Sequence, residues 1–566
     1  MAKLIYLCAR PGVNLPFSGK DLENLSAALC PDNIEPRPPR ILEGDGTLIG
    51  VFNPVPELPV QGCSVCLGAL FDNKPDWWRP LARVPDGSYA LFRGDDSTVE
   101  LVSDMVASRT IWYVKTDDIF IAATSQRAIV ACLGSYEPNE SVYPWMLSSG
   151  NLGPGLSWDS RIRCVPNDAR LILDKRSWEI KLFRTPVEFK ALDLPAEEHE
   201  YRLRKAIEET FTHVNIDSDH WTLPLSGGYD SRAIFLMLKD RPGLKTITWG
   251  LRSALKDQRG DALVARELAG KYQVQHEYFE TDLSDEPVET IFQRFLVAGE
   301  GRTDHISGYM DGFAIWKHLY ESGCHGVIRG DEAFGCYAVR DSSQVYKNMG
   351  MRVVSDYRNL GWLQDAMQRI PQKHPVELTQ RADESLASWR DRLSTEFKTP
   401  VVFAALSDLK LAYTELVNPL LSRRIIKAVR GLPDSLRTEK SLFRSIVEEM
   451  EPDHHFAENP AIQGRRHILG EDRVREAIHR RLEEAALGED ISASIARNVL
   501  HRMHNPQRAE KFMNMTIWSK LRGAAGRIGM GRYFEILDPV SLSLRAYILL
   551  EMQDRLQKDA AFLQIN

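Results

Sequence analysis

The sequence predicts a mixed α/β protein: a strand-rich sandwich first, then a parallel-sheet part that ends in helices. Three observations carry this expectation. Residues 1–185 hold short alternating apolar stretches broken by Pro, Gly, Asn and Asp, the pattern of half-buried strands. Residues 221–328 alternate apolar runs with helical periodicity, which calls for parallel strands with helices on both faces. Beyond residue 350 the chain reads as almost wholly helical and charged. The expected division is a sandwich domain over 1–185, a Pro-flanked connection over 186–198 and a second domain over 199–566.

Element by element, the opening stretch Met1–Arg10 reads as a first strand, followed by strands at Leu48–Phe52, Ser88–Phe92, Ile111–Val114, Ile119–Ala123 and Arg170–Leu173. From about 197 the period becomes helical, with Leu203, Ile207 and Phe211 on one face. Strands then follow at Trp221–Leu225, Thr246–Trp249, Gln275–Phe279 and Gly326–Ile328, with Asp261–Tyr272 a helix among them.

At 566 residues the chain exceeds one core. A formal net charge of −7 argues against a nucleic-acid surface as its main business. No apolar run approaches the roughly 20 residues of a membrane span, and the opening residues have too short an apolar stretch for a secretory signal. A cytoplasmic location is the expectation. Among the eight cysteines only Cys63 and Cys66 have ligand-like spacing, and no second pair follows at zinc-site distance. They read as ordinary thiols.

The most informative stretch is Leu223-Pro-Leu225-Ser226-Gly227-Gly228-Tyr-Asp230-Ser231-Arg. An apolar strand turns through two glycines into a helix start, which arrays backbone N–H groups around an anion. The glycines let backbone approach a phosphate, the two serines add hydroxyl donors, and Asp230 suits the Mg²⁺ that accompanies a nucleotide. It is not a Walker loop, which needs Gly-Lys-Ser/Thr. Ser226–Ser231 resembles the PP-loop of the ATP pyrophosphatases, and the resemblance implies cleavage of ATP between the α and β phosphates.

Further segments fall in place around the loop. Trp249-Gly250 ends the neighbouring strand, where backbone would meet an adenine edge. Gly330-Asp331-Glu332 follows the strand Gly326–Ile328, and Asp331 is placed to share Mg²⁺ with Asp230. Lys440 and Arg444 lie four apart, on one face if that segment is helical, and two cations there would stabilise charge in the transition state. The expected ATP- and pyrophosphate-binding set is therefore Leu225, Ser226, Gly227, Gly228, Asp230, Ser231, Trp249, Gly250 and Gly330. The expected catalytic set is Lys440, Glu332 and Arg444.

The chain as a whole resembles the asparagine synthetase-type ATP-dependent amide ligases. Ser226–Ser231 matches that family's pyrophosphate loop, and Gly330–Gly335 resembles its second acidic motif in shortened form. Glu415–Leu421 and the Lys440 segment resemble later elements, but Val417 stands where the family has Arg and Ser422 where it has Asp. Asp86–Phe92, Asp104, Arg109, Tyr113 and Phe120–Ile129 resemble the family's N-terminal-nucleophile glutaminase, an αββα sandwich. That chemistry needs Cys after the initiator Met, and position 2 is Ala, so a scaffold without glutamine hydrolysis is expected. The resemblance then implies an AMP-forming amide ligase that adenylates a carboxylate, using ATP and Mg²⁺. It points first to intramolecular lactam closure, as in lasso-peptide cyclases and β-lactam synthetases, with a precursor peptide and its processing protease as partners. Ammonia-dependent asparagine synthesis is the alternative.

Two rivals use the same residues otherwise. A thiolation enzyme acting on tRNA would enlist Cys324 and Cys336 beside the acidic segment, and a degenerate scaffold would bind a partner through the sandwich. Asp304 and His305, after Arg302, fall where a substrate pocket would be lined. Trp77-Trp78 reads as a loop anchor, and His454-His455 and His501/His504 as surface or core histidines.

Overall fold

The computed structural model describes residues 3–72, 74–214, 216–368, 370–462, 468–505 and 535–565. Two six-stranded antiparallel sheets come first. One runs Arg163–Cys164, Trp112–Lys115, Ile119–Ala123, Lys3–Ala9, Thr47–Phe52, Arg40–Gly44. The other runs Glu179–Arg184, Ala169–Asp174, Thr98–Ser103, Gly87–Gly94, Ser64–Leu70, Val60–Gln61.

Side-chain alternation explains how they stack. On Lys3–Ala9, Leu4, Tyr6 and Cys8 enter the core between the sheets, where Val65, Leu67, Phe92 and Leu101 meet them from the second sheet. Ile5 and Leu7 point the other way, into a cluster with helical side chains, as a period of two requires. The helices Gly19–Ala28, Gln126–Leu133 and Val142–Ser149 all contribute to that outer cluster, together with the final helix Pro539–Ile565. The outer face of the second sheet is covered differently: Trp77 and Val84 lie on Cys66, Tyr89 and Leu91, and Pro419–Leu421 packs against Gly87–Gly94. The expected αββα layering therefore has helices on one sheet only, because the second sheet's face is used to join the rest of the chain.

The third sheet has five parallel strands in the order Gln275–Glu280, Lys245–Gly250, Trp221–Pro224, Gly326–Ile328, Glu415–Val417. The chain moves outward from Trp221–Pro224 to Gln275–Glu280, then returns to add Gly326–Ile328 on the other side. This reversal opens a crevice at the carboxyl ends of the two strands that flank it, where ligands of such sheets bind. The loops after Pro224 and Ile328 face each other across it.

Beyond residue 350 the described residues are largely helical, and the strand Glu415–Val417 departs from the expectation. Three residues are too few to show a period, and Glu415 disguises the strand as polar because its carboxylate is buried against Arg109. Ser394–Phe403 is π-helical. Lys3–Glu300 (3.0 Å) and Arg127–Asp559 (2.7 Å) tie the sandwich to later elements, and Arg545 donates to the carbonyls of Leu147 (2.9 Å) and Ser148 (2.8 Å). Among the described residues no helix is long and apolar enough to cross a membrane.

Candidate active site

Leu223 and Leu225 anchor the end of the central strand in the core, and Gly227 and Gly228 turn it into the helix Tyr229–Leu238. The Ser226 N–H donates to Ser231 Oγ (3.0 Å), the two hydroxyls are 2.8 Å apart, and the Gly228 N–H donates to Ser226 Oγ (3.2 Å). The Gly227 N–H donates to Asp261 Oδ1 at 3.0 Å. A carboxylate oxygen thus already occupies this loop amide. Burial raises the pKa of Asp261, opposed by the hydrogen bond from Gly227.

Across the crevice, Lys440 Nζ lies 2.9 and 2.8 Å from the two oxygens of Asp230 and 2.9 Å from Glu332 Oε1. Arg329 donates to Asp331 Oδ1 at 2.9 Å. Three carboxylates therefore share two cations at the mouth of the loop. Burial raises the pKa of Asp230, aided by Asp331 and opposed by Lys440. Burial also lifts Glu332 to about 7, with Lys440 opposing and Asp230 adding. Burial works against the Lys440 ammonium, yet Glu332 and Asp230 outweigh it and raise its pKa.

Lys440 reaches this position because Glu439 and Lys440 both adopt left-handed backbone (φ 58° and 60°), a conformation of stored strain at non-glycine residues. The helix starts only at Ser441, so the expected shared face of Lys440 and Arg444 does not form. The Arg444 guanidinium lies over the Tyr229 ring at 5.0 Å instead, near enough to Asp230 to favour its charged form.

A strap over residues 454–461 closes over Gly227 and Gly250. Arg232 donates to the carbonyls of His454 (2.8 Å) and His455 (2.6 Å) and stacks on Phe456 at 3.7 Å. Phe456 in turn stacks on Tyr229. The Ala457 N–H donates to Gly227 O (3.1 Å), and the Leu251 N–H donates to Ala461 O (2.9 Å). Gly227 and Gly250 must lack side chains, because a Cβ would approach Ala457 to 2.3 Å and Ala461 to 2.5 Å. Trp249 is half-buried, edge-on to Trp316 at 5.6 Å. Gly330 lies against the helix start, where its Cβ would be 3.3 Å from Ser231 N.

Of the expected site residues, Leu225, Ser226, Gly227, Gly228, Asp230, Ser231, Gly330, Asp331, Glu332 and Lys440 gather around one crevice. Asp304 does not line it: it is fully buried and held by Arg545 at 2.6 Å, a joint to the last helix. His305 is half-exposed beside it, bonded to Thr303 Oγ1 at 2.8 Å. Cys324 and Cys336 stand before and after the strand Gly326–Ile328, and burial pushes each thiol up to about 11, the reverse of what a nucleophilic pair needs. Cys66 is fully buried and its thiol pushed up to about 12. His504 meets His479 at 3.2 Å, and Ala2 lies outside the described residues.

Sequence reasoning missed Asp261, Arg329 and Arg232. Arg232 directly follows the loop, and Asp261 opens a helix after Gly260, a place where a carboxylate faces free amides; both signals were present. Arg329 had none, since a basic residue after a strand is ordinary.

With the loop and its acidic partners on opposite sides of the switch point, the comparison with known families is decisive: a family model described as asparagine synthase matches residues 202–521. The chain belongs to the asparagine synthase family. Among curated proteins, none matches it. Family membership makes the protein an ATP-dependent ligase that forms carbon–nitrogen bonds. Val417, where the resemblance calls for Arg, is a fully buried core residue. Ser422, in place of Asp, caps the helix Arg423–Arg430 through the Ile425 N–H and lies 2.8 Å from Thr210 Oγ1.

The donor set suits a hard cation. Among the described residues no group of three or more His, Cys, Asp or Glu is arranged around a single ion position. Mg²⁺ is commonly held by one or two carboxylates together with phosphate oxygens, so Asp230 and Asp331 fit an ion that arrives with the nucleotide.

Proposed function

We propose that this family member adenylates a substrate carboxylate and closes an amide within the same peptide or specialised metabolite, without hydrolysing glutamine. The observation that carries this is Lys440, held between Asp230 and Glu332 at the mouth of the loop. A carboxylate oxygen attacks the α-phosphorus and pyrophosphate leaves. The substrate's amine then attacks the acyl carbon, AMP leaves and one proton is released. Lys440 stabilises negative charge in both steps, while the loop amides and the Ser226 and Ser231 hydroxyls hold the phosphates. Asp230 and Asp331 would hold Mg²⁺, which neutralises phosphate charge when bound. Holding both reacting groups on one molecule supplies much of the acceleration.

Two features support an amine carried by the substrate. The strand that would deliver an N-terminal nucleophile is pinned through Lys3, whose ammonium bonds Glu300 (3.0 Å) and the Val297 carbonyl (3.2 Å). Val417 offers no charge to a second carboxylate such as that of aspartate. Substrate-dependent exchange of labelled pyrophosphate into ATP tests the adenylation, with the Asp230→Ala protein inactive. No exchange with any carboxylate, or undiminished exchange in that variant, refutes it. Mass spectrometry separates the products: loss of one water from a single substrate marks cyclisation, whereas aspartate and ammonium giving asparagine would replace this proposal.

A further inference from the structure

A cavity of about 200 Å³ lies between the sandwich and the π-helical segment Ser394–Phe403, bounded by Thr110, Trp112, Leu156, Cys164, Pro400 and Val401. Its surface is mainly apolar, and its buried charges are already matched. Arg302 pairs with Asp408, bonds Thr110 Oγ1 at 2.7 Å and covers the Trp112 ring at 5.2 Å. Arg184 pairs with Glu396 at 3.1 Å, and Glu396 also holds Arg392 at 2.8 Å. A charged group entering here would lose its hydration and find no partner. An uncharged apolar group would gain by burial, and an apolar cavity of about 150 Å³ is room enough for a benzene ring.

The position of this cavity is also informative. π-Helical turns are rare and recur at functional sites. Ser394–Phe403 walls the cavity through Glu396, Pro400 and Val401. Pro375 and Glu377 line the rim, and Val376 between them is 83 % exposed. Glu179–Arg184 is an edge strand whose outer side has no strand partner among the described residues. It shows Leu182 and Phe183 to solvent (50 and 55 % exposed), and its last residue, Arg184, reaches the cavity. Glu179, Lys181 and Arg184 give the strand charges that discourage self-pairing, while its unpaired N–H and C=O groups match the surface to which an extended peptide adds as a strand.

We propose that this edge and the cavity at its end bind an extended peptide, with one uncharged apolar side chain seated in the cavity. The inference rests on the reading of the protein as a ligase for a peptide substrate, and assigns the part of that substrate remote from the reacting carboxylate. Binding energy gathered there is available to orient the reacting groups.

The test is calorimetric titration of the full chain with the capped pentapeptide acetyl-Thr-Val-Trp-Val-Thr-amide. Saturable binding is expected, at least tenfold weaker for the peptide with Asp in place of Trp. It is also expected to be at least tenfold weaker in Val401→Trp and Leu156→Trp, each of which fills the cavity. No binding of the Trp peptide, or unchanged binding in either variant that melts as the wild type does, overturns the site. Lys440→Ala keeps the peptide binding if the site is real, even with pyrophosphate exchange abolished. In the wild type, peptide binding without any substrate-dependent exchange counts against the ligase reading alone, and exchange without peptide binding counts against the cavity alone.

Discussion

The outer face of the sandwich's second sheet and the mouth of the parallel sheet use the same chemical material in opposite ways. In the second sheet, Arg93 and Glu100 face each other at 3.2 Å with no side-chain exposure. Arg93 also bonds the carbonyls of Trp77, Ala82 and Arg83. Its donors are spent on fixed partners, and nothing is left for a ligand. At the crevice, Asp230, Asp331 and Glu332 share Lys440 and Arg329 while remaining 14–30 % exposed. There the carboxylates outnumber the cations, so charge is crowded rather than balanced. A closed pair holds a fold together; a crowded and accessible set changes state when a cation, a phosphate or a proton arrives.

The largest expected effect breaks the closed side. Arg93→Ala removes one of the two cations on the buried Glu100, leaving Arg170 at 2.5 Å, and should cost about 3 kcal/mol of stability, read from urea unfolding, with ATP affinity unchanged below the transition. On the crowded side, Lys440→Ala should lower substrate-dependent pyrophosphate exchange by about a hundred- to a thousandfold with the melting temperature nearly constant. If both substitutions act mainly on stability, the contrast fails.

Gly227→Ala probes how tightly the strap closes. The new Cβ would sit 2.3 Å from Ala457 Cβ and 3.1 Å from Ala457 N, so the strap must shift, and ATP should bind about tenfold more weakly by calorimetry, a cost of about 1.4 kcal/mol. Ala457→Gly in the same chain should restore only part of the loss, because the backbone contact stays.

Glu332→Gln sharpens the comparison through pH. Burial holds the Glu332 proton until about pH 7. Below that value a neutral carboxyl faces Lys440, and above it a carboxylate does. Exchange activity should therefore rise with pH through about 7 in the wild type, and the rise should vanish in Glu332→Gln. A rise that persists in the variant assigns the titration to another group. The smallest effect is at the junction: Ser422→Ala removes a helix cap and should cost about 1 kcal/mol, read from thermal melting.

How much of this was legible depended on whether a residue's role is local. The strand Ile119–Ala123 was read to the residue, because an apolar run between turn residues needs no distant partner to be recognised. The helix Asp261–Lys271 was read within one residue. Glu415–Val417 was hidden, since its strand character depends on pairing with Gly326–Ile328 and on Arg109 covering its charge. In the site, the loop was legible because its glycines and serines act through their own backbone. Asp304 was misplaced as a pocket residue because its partner, Arg545, lies 241 positions away.

The sequence by itself determined the loop Ser226–Ser231, the acidic segment facing it and the family, since each rests on contiguous residues with a fixed local geometry. The tertiary structure decided which cation serves the loop. Two left-handed residues turn Lys440 back onto Asp230 and leave Arg444 on Tyr229, and no helical period records that turn. It also decided that the sandwich and the segment Ser394–Phe403 together wall a cavity. Such a wall is a property of surfaces brought together, and only the packed chain brings them together.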